Sequence, residues 1–363
     1  MDLRLLLDDY KTGVYYRQEN YAFGTSEIHK STENGIIPHM LKTQLNQQST
    51  NNILGMNLDG ERLLLVYGGL TGSIYETMAA PIRNKDSFTT ILDQLSIEAD
   101  KLLSLVQAQR LPLPDRVSVA ITGDYDNEFG ILRSAEDFPE LHEVSIRSQI
   151  SMRFNLPVYM EQKANAGALA EFLFDKGKNA RNLIFVSHDP VIRVGILTDG
   201  KVYRNPGGTA GNIGNLSSGL LDPIHGTPLS YNQICSNKGM LRTIINQHLQ
   251  HWEHDVTLLQ IIQDANQGDP YALESFVEIG KILGQSLAEA TMLLRPEIFV
   301  LGYPACLLGK SIEVAISQGI AEATGLVDSK LPQVFTSTLG VHLPELQALA
   351  PACAAFRNSE KTS

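Results

Sequence analysis

The stretch VYMEQKANAGALAEF, Val158 to Phe172, joins two patterns of different kind. Its first residues belong to the run LPVYME, a short apolar segment that predicts a strand. The residues from Ala164 to Phe174 are rich in alanine and leucine, and they predict a helix. A strand that leads directly into a helix indicates an α/β fold, and the residue at the junction is Lys163.

Strands and helices alternate along the rest of the chain as well. ILGMNLDGERLLLVYGG predicts two strands joined by a turn at Asp59–Gly60, and NLIFVSHD with IRVGILTDGKVY predicts a second hairpin. RVSVAITG and EIFVLG predict two further strands. Ser87 precedes apolar residues at helical spacing and predicts a capped helix. The predicted helices are Ser87–Gln109, 144–154, Ala164–Phe174, Leu241–His251, Val256–Gln267, Tyr271–Leu294, Ser311–Thr324 and Glu345–Phe356.

The composition is typical of a globular protein and excludes several classes. Of 363 residues, 43% are hydrophobic and 19% are charged, and no apolar run approaches the roughly 20 residues that span a bilayer. The N-terminus is too acidic for a secretory signal. Three widely separated cysteines argue against disulfides and favour a cytoplasmic location. The net charge of −11 disfavours nonspecific attraction to nucleic acid or anionic lipid.

Four segments in order give the chain a family resemblance from Ile53 to Phe356. The sequence resembles the repressor, ORF and kinase (ROK) family, and its transcriptional regulators in particular. The resemblance implies a two-lobed actin-like ATPase fold (ribonuclease H-like), with sugar and ATP meeting between the lobes. It implies a small lobe over 51–160, a large lobe over 161–344, and a helix over 345–357 that packs back on the small lobe. The segments are ANAGALAE (Ala164–Glu171), VGILTDGKVY (Val194–Tyr203), GGTAGNIGN (Gly207–Asn215) and RPEIFVLG (Arg295–Gly302).

Both phosphate loops of the family's kinases are altered. In the first, a motif similar to DIGGT becomes Asn57-Leu58-Asp59-Gly60-Glu61, which replaces a metal-supporting carboxylate with an amide and adds two carboxylates where phosphate would approach. The alternative interpretation of this segment is a plain β-turn. In the second loop, Asp189 adds a charge of the wrong sign and Pro190 has no N–H to donate. Arg193 follows, and it is expected to be a solvent-facing strand residue or, alternatively, to bind an anion.

The position that corresponds to the family's general base is Lys163. The ENDAN segment of the kinases becomes Glu161-Gln162-Lys163-Ala164-Asn165. Phosphoryl transfer to a sugar needs a group that accepts the hydroxyl proton, and a protonated ammonium has no lone pair for it. Loss of a general base costs a factor of about 10²–10⁴ in rate. The sequence therefore predicts no catalytic residue, no metal and no cofactor.

The sugar and zinc positions of the family are also replaced. A motif similar to GEIGH becomes Gly211-Asn212-Ile213-Gly214-Asn215, and the cysteine cluster that follows it in relatives is missing. His225 alone remains as a zinc ligand, and one histidine does not make a tetrahedral site. Four polar residues either bind a small polyol or serve turns and strand ends. They are Asp137, Asn165, Asn212 and Asn215.

The first fifty residues resemble, in outline, the helix-turn-helix that precedes many family repressors. Pro38–Leu45 would be the recognition helix, with four DNA-contacting candidates: His39, Lys42, Thr43 and Gln44. However, residues 1–50 contain five Lys/Arg and six Asp/Glu, the turn is one residue short, and no wing follows. A helical arm for packing or dimer contacts is the alternative.

Three functions remain open from the sequence. The first is a non-catalytic regulator derived from a sugar-responsive repressor, acting as a homodimer or higher oligomer and answering to a sugar or sugar phosphate. The second is a sugar kinase for a hexose or N-acetylhexosamine with a rebuilt site. The third is a scaffold protein that uses the two-lobed shape without DNA or nucleotide. The lost kinase groups favour the first, because a repressor tolerates loss of catalysis.

Overall fold

A computed structural model describes residues 51–60, 62–252, 255–327 and 330–360 of the chain. The first part of this structure is built on a five-stranded sheet, here called the small lobe. Its elements in chain order are β1 (Asn52–Leu58), β2 (Arg62–Gly69), β3 (Ile74–Pro81), α1 (Phe88–Ala108), β4 (Arg116–Ile121), β5 (Asp124–Asp126), β6 (Ile131–Ser134), α2 (Ile146–Phe154) and β7 (Val158–Gln162).

The second part, here called the large lobe, contains the other five-stranded sheet and most of the helices. Its elements are α3 (Lys163–Phe174), β8 (Leu183–Ser187), β9 (Arg193–Thr198), β10 (Lys201–Val202), β11 (Ser217–Leu221), β12 (Pro228–Ser230), α4 (Tyr231–Cys235), α5 (Asn237–Gln247), α6 (Leu258–Asn266), α7 (Pro270–Leu294), β13 (Ile298–Leu301), α8 (Lys310–Thr324) and β14 (Gln333–Thr336). The last helix, α9 (Leu343–Glu360), follows them.

The two sheets have the same internal arrangement. The small-lobe order is β3-β2-β1-β4-β7, and the large-lobe order is β10-β9-β8-β13-β14. In each sheet three strands form an antiparallel meander, and two later strands pair in parallel beside its first strand. Parallel pairing requires a crossover, and helices provide it in both lobes. This duplicated arrangement is the two-lobed actin-like fold expected from the family resemblance.

Buried apolar residues explain why the central strands form. All seven residues of β1 are buried, as are the last seven of β2, which fits strands covered on both faces. Helix α1 covers one face with apolar residues at helical spacing, and the Ser87 side chain accepts a hydrogen bond from the Thr90 N–H at its start. The predicted cap at Ser87 is therefore confirmed.

Helix α9 returns to the small-lobe sheet. Its buried residues Ala348, Leu349, Ala352 and Cys353 form one cluster with apolar residues of β1 and β2. The fit is close, because a Cβ added at Gly55 in β1 would lie 3.0 Å from the Leu349 side chain. The last helix of the chain thus helps to complete the first lobe.

Several elements differ from the sequence-based expectations. Strands β3, β5, β6, β11, β12 and β14 were not predicted. Helix α5 begins at Asn237, four residues before the predicted start, because Ser236 caps it by accepting from the Gly239 N–H. Within the described ranges no helix is long and apolar enough to cross a membrane.

Candidate functional site

Lys163 is the first residue of α3 and lies between the two lobes. The Gln162 side chain accepts hydrogen bonds from the N–H groups of Ala164 and Asn165 at 2.8 and 3.2 Å, which fixes the start of the helix. Strand β9 approaches this turn closely, since a Cβ at Gly195 would lie 2.0 Å from the Ala164 carbonyl oxygen. Glycine is therefore required at position 195 for the strand and the helix to meet.

The Lys163 ammonium is surrounded by carboxylates from both lobes. Its Nζ lies 3.7 Å from Asp59 Oδ2 in the β1–β2 turn and 4.0 Å from Asp189 Oδ2 in the β8–β9 turn. Asp137 of the small lobe also acts on it electrostatically. The Lys163 side chain is only 14% exposed. The residue at the family's base position thus connects the two turns that match the family's phosphate loops.

The electrostatics of this cluster keep Lys163 protonated. Burial alone would lower the pKa of the lysine, but the carboxylates of Asp59, Asp189 and Asp137 outweigh it and hold the pKa of Lys163 above its ordinary value. Burial also raises the pKa of Asp137 to about 6, although the positive charge of Lys163 opposes this effect. An ammonium held in this way cannot accept a proton at neutral pH.

Two small cavities remain on either side of Lys163. The one toward Tyr303 and Gly340 of the large lobe has a volume of about 70 Å³. The one toward Thr122 and Glu136 of the small lobe has a volume of about 10 Å³. Binding sites for small molecules usually measure roughly 300–1,000 Å³. In this conformation the cleft is too small for a sugar or a nucleotide.

A second ion-pair cluster closes the cleft through Arg193. The Arg193 Nη1 lies 2.7 Å from Asp124 Oδ1, and its Nη2 lies 3.0 Å from Glu136 Oε1, so a large-lobe strand is tied to the small lobe. The side chain is 4% exposed. The expectation of a solvent-facing arginine was wrong, because two carboxylates distant in sequence bury and neutralise this guanidinium.

A third pair lies where β7 leaves the small lobe. Arg204 donates through Nε to Glu161 Oε1 at 2.8 Å, and its Nη2 bonds to the same oxygen. Asn127 Nδ2 also donates to this oxygen, at 3.2 Å. Burial raises the pKa of Glu161, and the Arg204 guanidinium acts against that shift. Three clusters of ion pairs therefore join the lobes: those of Lys163, Arg193 and Arg204.

The altered residues of the first loop have local structural roles. The Asn57 Nδ2 donates to the Pro344 carbonyl at 3.0 Å and to Gln347 Oε1 at 3.4 Å, which attaches β1 to the start of α9. The Asp59 Oδ1 accepts from the Arg62 N–H at 2.9 Å and stabilises the predicted turn. The Asn57 amide thus attaches β1 to α9 at the position where the family's kinases have a metal-supporting carboxylate.

The four predicted ligand residues do not form one pocket. Asp137 belongs to the Lys163 cluster, whereas Asn165 donates to Glu161 Oε2 at 3.4 Å. Asn215 is exposed and accepts from Asn232 at 2.9 Å. The buried Asn212 Oδ1 has no hydrogen-bond partner among the described residues. Neither cleft cavity is lined by any of the four.

The family's zinc site does not fit the residues present. Asn215 stands at the matching ligand position, and its side-chain oxygen is bonded to an amide. His225 lies in the exposed β11–β12 turn and bonds to Asp222 Oδ1 at 3.1 Å. Within the described ranges no three His, Cys, Asp or Glu side chains are placed to hold an ion. The DNA-contacting candidates His39, Lys42, Thr43 and Gln44 lie outside the described residues.

The fold and the cleft define the class of protein: a two-lobed α/β protein of the actin-like ATPase fold. The ROK family model matches residues 88–324. The chain belongs to the ROK family.

Relatives of this chain include repressors and kinases. It is 26% identical over 205 residues to the xylose repressor of Caldicellulosiruptor bescii, covering 53% of this chain and 51% of that protein. This chain therefore spans about half the length of that relative. Among solved structures, a ROK family transcriptional regulator homologous to Escherichia coli Mlc superposes with a TM-score of 0.73 at 20% identity, covering 84% and 78% of the two chains. The Streptomyces griseus ROK glucokinase, in complex with glucose and AMPPNP, gives 0.70 at 20% identity over 84% and 99%.

Proposed function

We propose that this protein is a non-catalytic transcriptional regulator of the ROK family, derived from a sugar-responsive repressor. The observation that carries the proposal is the Lys163 cluster, in which a protonated lysine occupies the position of the base and binds the carboxylates of Asp59 and Asp189. The similarity to a protein named xylose repressor supports the regulatory part.

The chemistry of the cluster supports the proposed absence of catalysis. A kinase needs an acceptor for the sugar hydroxyl proton and positive or N–H groups around the phosphates. Here the base position is cationic, and two carboxylates occupy the phosphate-loop positions. Loss of the base and of phosphate electrostatics each costs about two or more orders of magnitude in rate. The remaining rate is not that of a functional kinase.

The regulatory mechanism proposed here is a shift between open and closed lobes. A ligand or partner protein that binds one state better moves the equilibrium by its difference in affinity for the two states. In a dimer this movement changes the spacing of the two N-terminal segments and hence their fit to DNA. Residues His39, Lys42, Thr43 and Gln44 are the proposed DNA contacts.

A sugar kinase is the second candidate, favoured by one observation. The glucokinase that binds glucose and AMPPNP has the same fold over 84% of this chain. Catalysis on this chain would require the three interlobe clusters to open and another group to accept the proton.

Two assays on the full chain distinguish these functions. Hexose- or N-acetylhexosamine-dependent consumption of ATP, measured with a coupled assay, is expected to be absent. Retention on the protein's own upstream DNA is expected and should weaken with salt. Lys42→Ala should weaken DNA retention for all sequences and should lower the slope of log affinity against log salt concentration by about 1. Lys85→Ala should change neither. Sugar-dependent turnover, or no DNA retention at low salt, contradicts the proposal.

A further inference from the structure

A large cavity lies outside the cleft, at the rear junction of the two lobes. It has a volume of about 720 Å³, within the usual range for small-molecule sites, and it shares no lining residue with the two cavities beside Lys163. Strand β7 and helix α2 line it from the small lobe, and the residues around β10 line it from the large lobe. The end of α9 forms the remaining wall. This space is called the rear cavity below.

The rear cavity is strongly cationic. Six Lys and Arg residues line it against two carboxylates, Glu161 and Asp199, although the whole chain has a net charge of −11. Each carboxylate is already paired, Glu161 with Arg204 and Asp199 with Arg181. Four of the cationic residues form no ion pair with any carboxylate in the described ranges: Arg147, Lys178, Lys201 and Arg357.

The four cations are placed differently around the opening. Arg147 Nη2 donates to the carbonyls of Asn127 and Glu128 at 2.8 and 2.9 Å, which fixes its guanidinium at the wall. Lys178 and Lys201 are exposed on the large-lobe side. The Arg357 guanidinium lies 5.2 Å from the centre of the Phe172 ring. Both lobes and α9 therefore direct positive charge toward one space.

Apolar side chains also line the cavity, and this part of the lining is called the apolar floor below. Val158, Leu169, Phe172, Leu173 and Val202 contribute to it, together with alanines of α9. Such a site offers an apolar surface to the uncharged part of a ligand and positive charge to its anionic part. Arginine and lysine bind phosphate oxygens by charge-assisted hydrogen bonds. A concave site of this size suits a small molecule, since an extended polyanion needs an open surface or groove.

We propose that the rear cavity binds a phosphorylated small organic molecule. The ligand's phosphate lies among the four cations, and its body lies against the apolar floor. Because the walls come from both lobes, the bound molecule links them at a place separate from the cavities beside Lys163. This proposal goes beyond the regulatory function and does not depend on DNA binding.

Calorimetry on the full chain tests the rear cavity. The probes are inorganic phosphate, pyrophosphate, glucose 6-phosphate and fructose 1,6-bisphosphate, with fructose as the uncharged control, in low salt of about 50 mM. At least one organic phosphate should bind, fructose should not, and binding should weaken in higher salt. The thermal transition should rise with the concentration of the bound probe.

A matched pair of charge reversals locates the binding. The double variant Lys178→Glu/Lys201→Glu should lower the affinity for the organic phosphate by about tenfold or more, because both side chains line the cavity. Arg83→Glu/Lys85→Glu changes the net charge equally at two exposed residues of the β3–α1 loop and should change affinity by less than about twofold. All four residues are exposed, so both variants should fold, which circular dichroism checks.

Several results would overturn the proposal. One is that no probe binds at low salt. Another is that both double variants lose affinity equally, which indicates a diffuse charge effect. A third is that inorganic phosphate or pyrophosphate binds but the organic phosphates do not. That result would show an anion site in which the apolar floor does not bind the rest of the ligand. Binding of an acidic peptide at low salt, with none of the small probes binding, would assign the cavity to a protein partner instead.

Discussion

Lys163 is held by carboxylates that belong to different lobes, and this arrangement makes its charge structural. Asp59 and Asp189 would repel each other across the cleft without it, and Asp137, whose pKa is raised mainly by burial, lies in the same cluster. A carboxylate at position 163, as in the family's kinases, would face three acidic residues. The lysine and these acids are therefore expected to depend on each other.

Lys163→Met tests this dependence. The change keeps the apolar stem but removes the cation that Asp59, Asp137 and Asp189 share, so the free energy of unfolding at pH 7.5 should fall by roughly 2–4 kcal/mol. At pH 5.5 the loss should be smaller, because Asp137, whose pKa burial raises to about 6, can take up a proton. Urea unfolding at both pH values measures the effect, and exposed Lys85→Met is the control, with a change of about 0.5 kcal/mol or less. A Lys163→Met protein as stable as the parent at pH 7.5 would show that the cluster contributes nothing.

Glu171 is a second buried acid, and it makes stability depend on pH. Burial raises its pKa to about 7, the nearby Asp175 adds to the shift, and one of its carboxyl oxygens has no partner among the described residues. Since the folded pKa lies above the ordinary value, the stabilising contribution is complete below about pH 4.5 and is lost as the pH rises through about 7.

Glu171→Gln should remove this pH dependence. At pH 8 the variant is expected to be more stable than the parent by roughly 2–4 kcal/mol, because no buried charge forms. At pH 4.5 the two proteins should be similar. Urea midpoints across the pH range measure this, and Glu274→Gln at an exposed position should follow the parent throughout. Parallel pH profiles for the parent and Glu171→Gln would contradict the prediction.

At the scale of elements, the contact of α9 with the first sheet holds the chain end in place. Leu349 is fully buried against β1 and β2. Leu349→Ala should lower the free energy of unfolding by about 2–5 kcal/mol, since it leaves a cavity among packed side chains. The matched control is Leu293→Ala at the end of α7, where the leucine is 82% exposed and the change should be within about 0.5 kcal/mol. Thermal and urea unfolding measure both. Equal effects of the two variants would mean that α9 is not docked as described.

Sequence patterns predicted the elements that carry strong apolar signals and missed strands whose signals are weak. β1, β2, β4, β7 and most helices carry apolar runs or helical spacing, which are strong signals. β3 and β14 lie at sheet edges, where half-exposed residues alternate poorly and signals are weak. Most helix boundaries agree with the predicted ones within about two residues, whereas the start of α5 shifted by four because the Ser236 cap decided it.

The site was only partly predictable for a related reason. The resemblance identified Lys163, Asp59 and Asp189 as changed positions, since each matches a motif. It could not identify Asp124 or Glu136 as partners of Arg193, because ion pairs between residues 57–69 apart leave no spacing pattern. The cations of the rear cavity are dispersed between Arg147 and Arg357 and leave no local signal either.

At the scale of the whole molecule, ion pairs connect the two lobes. Lys163, Arg193 and Arg204 each contact acids across the lobe boundary, and the space between the lobes is reduced to small cavities. A kinase cleft must open and close around substrates. In the proposed mechanism, breaking these ion pairs costs free energy that a ligand or partner must provide through its differential affinity for the open state.

Arg193→Met tests whether these pairs keep the lobes closed. The variant leaves Asp124 and Glu136 without their ion pair across the lobe boundary, so the free energy of unfolding should fall by roughly 2–4 kcal/mol. This value is below the upper range for buried ion pairs because Glu136 is 40% exposed. Amide exchange in β5, β6 and β9 should accelerate by about tenfold or more, and small-angle scattering should show a larger radius of gyration. Arg181→Met is the control, because its pair with Asp199 lies within the large lobe and is exposed. If Arg193→Met leaves both the scattering profile and the amide exchange of β5, β6 and β9 unchanged, packing alone closes the lobes. The Arg193 ion pairs then have no part in the proposed open–closed regulation.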